Sequence, residues 1–230
     1  MNNSAAQTVE EQLVRVPAGA VTLEGNLTLP QNSRGIVLFA HGSGSSRHSP
    51  RNRYVARALN EAKLATLLID LLTLHEEVID ARTAQLRFDI DLLAERLVDA
   101  TDWLIQFPDT KHLAIGYFGA STGAAAALAA AAVRQDAVAA IVSRGGRPDL
   151  AGPALPQVRA PTLLIVGGND GQVIELNRQA LAQLRCEKQL MIVPGATHLF
   201  EEPGALDEVA RLARDWFERH LIAAERATAT

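Results

Sequence analysis

Six short apolar runs, at residues 35–40, 65–71, 113–118, 137–143, 162–167 and 189–193, constrain this chain more than any other feature. A run without polar alternation is what a strand covered on both faces requires, because neither row of its side chains meets water. Segments with helical spacing separate the runs. Val55, Ala56, Leu59 and Ala62 mark a helix over 53–62, and Ile90, Leu93, Leu97, Ala100 and Leu104 mark another over 86–107, stopped before Pro108. Alanine, the strongest helix former, makes a third of 124–132, and amphipathic helices follow at 174–184 and 206–221. Strands alternating with helices close into a parallel sheet wound by right-handed crossovers.

Upstream, Leu13–Leu29 alternates apolar and polar residues around Pro17-Ala18-Gly19-Ala20, the pattern of an antiparallel hairpin at a sheet edge. The expected fold class is therefore α/β: a mostly parallel eight-stranded sheet with an antiparallel N-terminal edge hairpin and helices on both faces. With 230 residues, 48% of them apolar, the chain can bury one sizeable core, and a single domain over 1–230 is expected. Loose termini are expected at 1–12 and 223–230, and residues 73–83 are charged without clear periodicity.

Several function classes drop out on charge and residue usage. The formal net charge is −4 with both signs interspersed, so there is no basic face and no nucleic-acid partner is expected. Met1–Gln12 is polar and holds no apolar segment; the expectation is a cytoplasmic protein with no membrane association. Cys186 is the lone cysteine, which forbids an internal disulfide and any Cys-based metal spacing. It reads as an inert thiol late in a helix, and neither a metal nor a cofactor is expected.

Chemistry enters at Gly119-Ala120-Ser121-Thr122-Gly123, between the run ending at Phe118 and the alanine helix. A side chain on a sharp strand-to-helix turn needs a strained backbone and no bulk two residues to either side, which Gly119 and Gly123 provide. The pentapeptide fits the G-x-S-x-G nucleophile elbow, with the serine hydroxyl exposed at a helix N-terminus. Two later strand ends carry complementary groups. Gly167-Gly168-Asn169-Asp170 puts a carboxylate just past the run 162–167, and Pro194-Gly195-Ala196-Thr197-His198 puts an imidazole past the last run. In a wound parallel sheet, loops leaving the carboxyl ends of strands collect at one edge.

These residue types belong together for a reason. A serine hydroxyl is a poor nucleophile until a base takes its proton, and an imidazole does so only when held in the right tautomer. Ser121 reads as nucleophile, His198 as base, and Asp170 as the group that orients it. An oxyanion hole needs backbone N–H groups aimed at developing negative charge, and Thr122 and Ser43 are placed to supply them. Gly42 and Gly44 let the 41–44 loop approach closely, while His41 reads as a residue that shapes that loop rather than a base. Each group also has a plainer reading: Asp170 as a turn residue, His198 as a surface histidine, and Arg47, Arg51 and Arg53 as solvated charges rather than anion contacts. Asp70 and Asp149 are possible replacements for Asp170 but lack its immediate strand-end placement, and Glu201 and Glu202 read as solvated.

The set His41-Gly42-Ser43-Gly44, Gly119–Gly123, Asp170 and His198 resembles the α/β-hydrolase superfamily over roughly residues 13–221, in the order nucleophile, acid, base. In size and in its two-glycine loop the chain resembles the dienelactone hydrolase family, and it is similar to hydrolase modules fused in some bacteria to phosphoribosyltransferases, a partner not read in these residues. The resemblance implies a hydrolase using an acyl-enzyme intermediate. Dienelactone hydrolases carry a cysteine nucleophile, whereas Ser121 stands here, which favours general carboxylester chemistry. Only 144–160 leaves room where related hydrolases insert a cap. Without a cap domain, a shallow site for a small soluble ester is expected. Lactones, thioesters or amides are alternatives, as is a silent ligand-binding module, and a homodimer is compatible with the fold.

Overall fold

The computed structural model describes residues 10–228. The hairpin forms β1 (Glu11–Ala18) and β2 (Val21–Thr28), paired antiparallel through eight register pairs from Glu11 with Thr28 to Ala18 with Val21. The apolar runs become β3 (Ile36–Ala40), β4 (Ala65–Ile69), β5 (Ile115–Ala120), β6 (Val138–Arg144), β7 (Thr162–Gly167) and β8 (Lys188–Val193). Strand order is β1-β2-β4-β3-β5-β6-β7-β8. β2 joins β4 antiparallel, and every pairing from β4 across to β8 is parallel.

Period-two alternation splits each central strand between two cores. Ile36, Leu38 and Ala40 of β3, with Tyr117 of β5, meet α3 (Ile90–Gln106) and α4 (Thr122–Val133). Val37, Phe39 and Phe118 face the other way, onto α1 (Pro50–Glu61) and α6 (Ala205–Thr228). α4 is apolar all round, and all but two of its residues are buried. A helix of this kind has to be enclosed, and its alanines let it lie close to the sheet that positions its first turn.

Local chemistry explains where the elements differ from the sequence expectations. α1 starts at Pro50, not 53, because Ser49 caps it through Asn52 N–H and proline suits the first helical position. Residues Leu74–Thr83, aperiodic in sequence, form α2, whose Thr73 and Glu76 make a reciprocal capping box. The helix expected over 86–107 is split: Leu86–Phe88 is a 3-10 turn and Asp89 caps α3 by accepting Leu92 N–H at 3.0 Å. Residues Pro148–Gln157 are a 3-10 stretch, α5 spans Gly171–Gln183, and no separate cap domain is present among the described residues.

The expected loose ends are shorter than the sequence reading. Glu11 and Gln12 belong to β1, and α6 continues to Thr228 because Ala223, Ala224, Glu225, Arg226 and Ala227 are strong helix formers. The remaining parts of those expected ends, 1–9 and 229–230, lie outside the described residues. Cys186 sits in the loop between α5 and β8, not in a helix. It is half-buried, with its thiol pushed up chiefly by burial. No described helix is long and apolar enough to cross a membrane.

Candidate active site

Ser121 stands at the end of β5 with φ 51° and ψ −122°, a conformation that L residues rarely adopt. The flanking glycines permit it. A Cβ on Gly119 would come within 2.4 Å of Ala124 Cα, and one on Gly123 within 2.3 Å of the Ala40 carbonyl oxygen and 2.4 Å of that of His41. The turn is pinned on both sides: Ser121 N–H donates to the Arg144 carbonyl at 3.3 Å, and Arg147 N–H donates to the Ser121 carbonyl at 3.0 Å. Serine is a favoured helix cap, yet the Ser121 side chain makes no capping bond. Among the described residues its hydroxyl has no hydrogen-bond partner, at the N-terminus of α4.

Asp170 and His198 are brought together. His198 Nδ1 lies 2.7 Å from Asp170 Oδ2. The loops that carry them are laced: Gly168 N–H donates to Val193 O at 2.8 Å, Asn169 N–H to Ala196 O at 2.9 Å, and Asn169 Nδ2 to Gly195 O at 2.8 Å. Asn169 reads in sequence as a turn former, and only the fold reveals it as a clamp. The His198 ring reaches over the end of β6, where a Cβ built on Gly145 would lie 3.6 Å from His198 Cε1. Ser121 sits at the adjoining strand end, and among the described residues no hydrogen bond joins its hydroxyl to the ring.

The 41–44 loop packs against the elbow, with a Cβ on Gly42 falling 3.0 Å from Ser121 Cβ. His41 is buried, its Nδ1–H donating to Gly42 O at 3.0 Å and its Nε2 accepting Leu71 N–H at 3.0 Å. These partners fix a neutral tautomer, and burial lowers its pKa against the raising effects of Gly42 O and Asp70. Gly44 takes φ 68° at the loop tip. Ser43 differs from its expected role in one respect: its N–H donates to Thr122 Oγ1 at 2.9 Å. The Thr122 N–H heads α4, where no intrahelical acceptor exists for it.

A cavity of about 650 Å³ adjoins Thr122 and the 41–44 loop; Leu71, Leu72 and Leu93 supply its apolar lining, and Arg51, Glu77 and Arg87 its charge. Ser121 and His198 do not line it, so it abuts the elbow without enclosing it. One wall comes from α2, a segment without periodicity in the sequence, and from the 3-10 turn after it. Asp80 braces that wall: burial opposes its ionisation, but hydrogen bonds from Arg87 and Leu86 hold its carboxyl below the usual range. Burial, and then the Asp70 charge, raises Glu77.

The other charged candidates have structural partners. Asp70 takes the Arg47 N–H and its guanidinium, Asp149 pairs with Arg147 at 2.8 Å, Arg51 pairs with Glu201 at 2.8 Å, and Arg53 lies 3.6 Å from Glu11. Two buried groups near the site were not read from the sequence. Asn177, on α5 two turns beyond Asp170, is wholly buried and donates to Gly146 O at 3.0 Å, steadying the loop that holds the Ser121 carbonyl. Arg144 is buried with Asn52 Oδ1 at 3.3 Å as its hydrogen-bond partner; burial, with Arg51 nearby, lowers its pKa to about 10. Among the described residues no cluster of histidine, cysteine or carboxylate groups is arranged to hold a metal ion.

A family model described as the dienelactone hydrolase family matches residues 53–225. The crystal structure of dienelactone hydrolase from Anabaena variabilis is 65% identical in sequence, with a TM-score of 0.91 over 93% of this chain and 99% of that one. A protein of two Mycobacterium tuberculosis strains, carrying a provisional phosphoribosyl transferase name, is 60% identical over 218 residues. That match takes in 95% of this chain and 48% of the relative, so the chain spans about half the length of the curated relatives it matches. Est1E from Butyrivibrio proteoclasticus, 16% identical, has the same fold with a TM-score of 0.75 over 90% of this chain and 98% of its own.

Proposed function

The chain belongs to the dienelactone hydrolase family, and from that premise we propose that it hydrolyses small carboxylic esters, with Ser121 as nucleophile, His198 as general base and acid, and Asp170 as its orienting partner. One observation carries the reading: a hydroxyl without a hydrogen-bond partner among the described residues, on a strained turn, shares a sheet edge with an imidazole already held by a carboxylate at 2.7 Å.

With Nδ1–H donated to Asp170, the Nε2 lone pair is available as a base. Ser121 Oγ bonds to the ester carbonyl carbon as its proton passes to Nε2, and the carbonyl π pair moves onto oxygen. Thr122 N–H and a second donor beside the 41–44 loop stabilise that oxyanion. The pair returns, the bond to the leaving alcohol oxygen breaks, and Nε2–H protonates that oxygen. Water repeats the sequence on the Ser121 ester, releasing the carboxylic acid and restoring the hydroxyl. The contact between Ser121 and Nε2 closes in the substrate complex, as catalytic hydrogen bonds loose in the free enzyme generally do.

The cavity beside Thr122 is of ligand size and apolar at Leu71, Leu72 and Leu93, which suits a short acyl or alkyl group. The 65% identical Anabaena protein, named a dienelactone hydrolase, favours a second reading in which the ester is cyclic and the leaving oxygen stays tethered. Turnover of p-nitrophenyl acetate and of simple lactones by the wild type and by Ser121→Ala tests both. The wild type should hydrolyse one class and label with a fluorophosphonate, and the variant should do neither. Turnover retained by the folded variant refutes the mechanism.

A further inference from the structure

Thr122 is the first residue of α4 and is 3% exposed. The hydrogen bond from Ser43 N–H to its Oγ1, at 2.9 Å, has two consequences. It occupies the N–H that the sequence assigns to the oxyanion hole. It also fixes one lone pair of the hydroxyl, which turns the hydroxyl proton away from Ser43, since a hydroxyl carries a single donor beside its two acceptor sites. Among the described residues Ser43 N–H is the only hydrogen-bond partner of Oγ1, and Thr122 lines the cavity beside the elbow. Buried hydroxyl groups bond through their protons when an acceptor is offered.

We propose that the Thr122 hydroxyl is itself an oxyanion donor, acting with the Thr122 backbone N–H, and that Ser43 N–H orients and polarises it. The inference rests on the proposed role of Ser121. Both Thr122 donors belong to the first residue of a twelve-residue helix, where free N–H groups and the dipole favour an anion. As the Ser121 Oγ–carbon bond forms and the π pair moves to the carbonyl oxygen, the Thr122 O–H hydrogen bond to that oxygen shortens, the proton staying on Thr122. A hydroxyl that accepts one hydrogen bond donates another more strongly, so the contact from Ser43 reinforces the donor it positions.

In the rival arrangement Ser43 N–H swings to the oxyanion and Thr122 Oγ1 merely occupies it at rest. Thr122→Val separates the two, because it keeps the branched shape and removes the oxygen. The expected result is a fall in kcat for p-nitrophenyl acetate of about 10²-fold, the range found for a lost oxyanion donor. KM should change little, as for an interaction made only in the transition state, and Thr122→Ser should keep most of the activity. A Thr122→Val enzyme as fast as wild type or faster overturns the inference, since Ser43 N–H would then be the donor; so does an equal loss in Thr122→Ser, which would lay the effect on the methyl group. Thr122→Ala, scored the same way against its own thermal midpoint, serves if the valine variant does not fold. Turnover that depends on Ser121 but not on the Thr122 hydroxyl removes this inference alone, whereas turnover in Ser121→Ala removes the proposed function and the inference with it.

Discussion

Substituting Gly123 by alanine puts the architecture of the elbow to a direct test. The added Cβ would sit 2.3 Å from the Ala40 carbonyl oxygen and 2.4 Å from the His41 carbonyl oxygen, about an ångström closer than such atoms ordinarily approach. Neither obstacle is a flexible side chain. Ala40 ends β3, a strand paired on both sides, and His41 is tied to Leu71 N–H through its ring. Relief therefore means shifting α4 off the sheet, which breaks close packing along its whole buried length. Overpacking usually costs about 1–3 kcal/mol, and a clash against two fixed carbonyls belongs at about 3–5 kcal/mol. In a chain of this size that corresponds to a drop in Tm on the order of 10 °C. An ångström of displacement at Ser121 should also lower kcat about 10²-fold in whatever fraction stays folded. Gly171→Ala is the matched control. It lies at the start of α5 with nothing within 4 Å of its added Cβ, and it should be neutral or stabilising by about 0.5 kcal/mol. Urea unfolding and ester turnover measured on both variants decide the matter. A Gly123→Ala protein within about 1 kcal/mol of wild type would show that the elbow yields more readily than this packing allows.

Two further outcomes follow from the site's hydrogen bonds. Asp170→Asn keeps the size of the side chain but permits the wrong imidazole tautomer; kcat should fall by about 10³–10⁴-fold with the thermal midpoint little changed, and a loss under tenfold would remove Asp170 from the proposed mechanism. His41 is held neutral with its pKa lowered from 6.5, so between its folded value and 6.5 the unfolded chain binds more protons. Its contribution to stability is complete above 6.5 and is lost as pH falls below that. Denaturation midpoints measured from pH 8 downward should show this slope in the wild type and a shallower one in His41→Asn; parallel curves would contradict it.

The sheet was legible in the sequence because strands buried on both faces leave unbroken apolar runs, and all six runs became parallel strands. Ser121, Asp170 and His198 were legible for a related reason: each follows such a run within a few residues, so finding the strands locates the side chains. α2 was obscured because Leu74, Val78 and Ile79 are exposed and leave no inward stripe, although its Thr73-x-x-Glu76 capping box stood in plain view. The 3-10 stretch at 148–157 carries prolines at 148, 153 and 156, and it owes its shape to tertiary burial of Pro148, Ala151 and Leu155. Asn177 looks like part of the polar face of a helix, yet it is wholly buried. The partner of Ser43 N–H depends on a side-chain rotamer 79 residues away, beyond the reach of spacing or composition.

Between the strand ends that carry Ser121 and Asp170 lies the end of β6, which holds none of the proposed catalytic groups. The segment leaving it is fastened at its start through Gly145 N–H on Ile165 O, Gly146 O on Asn177 and Arg147 N–H on Ser121 O, and again further along by the buried side chains of Ala151, Leu155 and Val158. Between Ala151 and Leu155 the chain surfaces at Gly152, where φ is 46° and nothing lies within 4 Å of an added Cβ, and at Pro153, which is exposed. An insertion at Gly152–Pro153 can therefore be made with the strand ends left untouched, and it is a place to try covering the proposed nucleophile. On this scaffold a single connection can lengthen while every strand end stays in place.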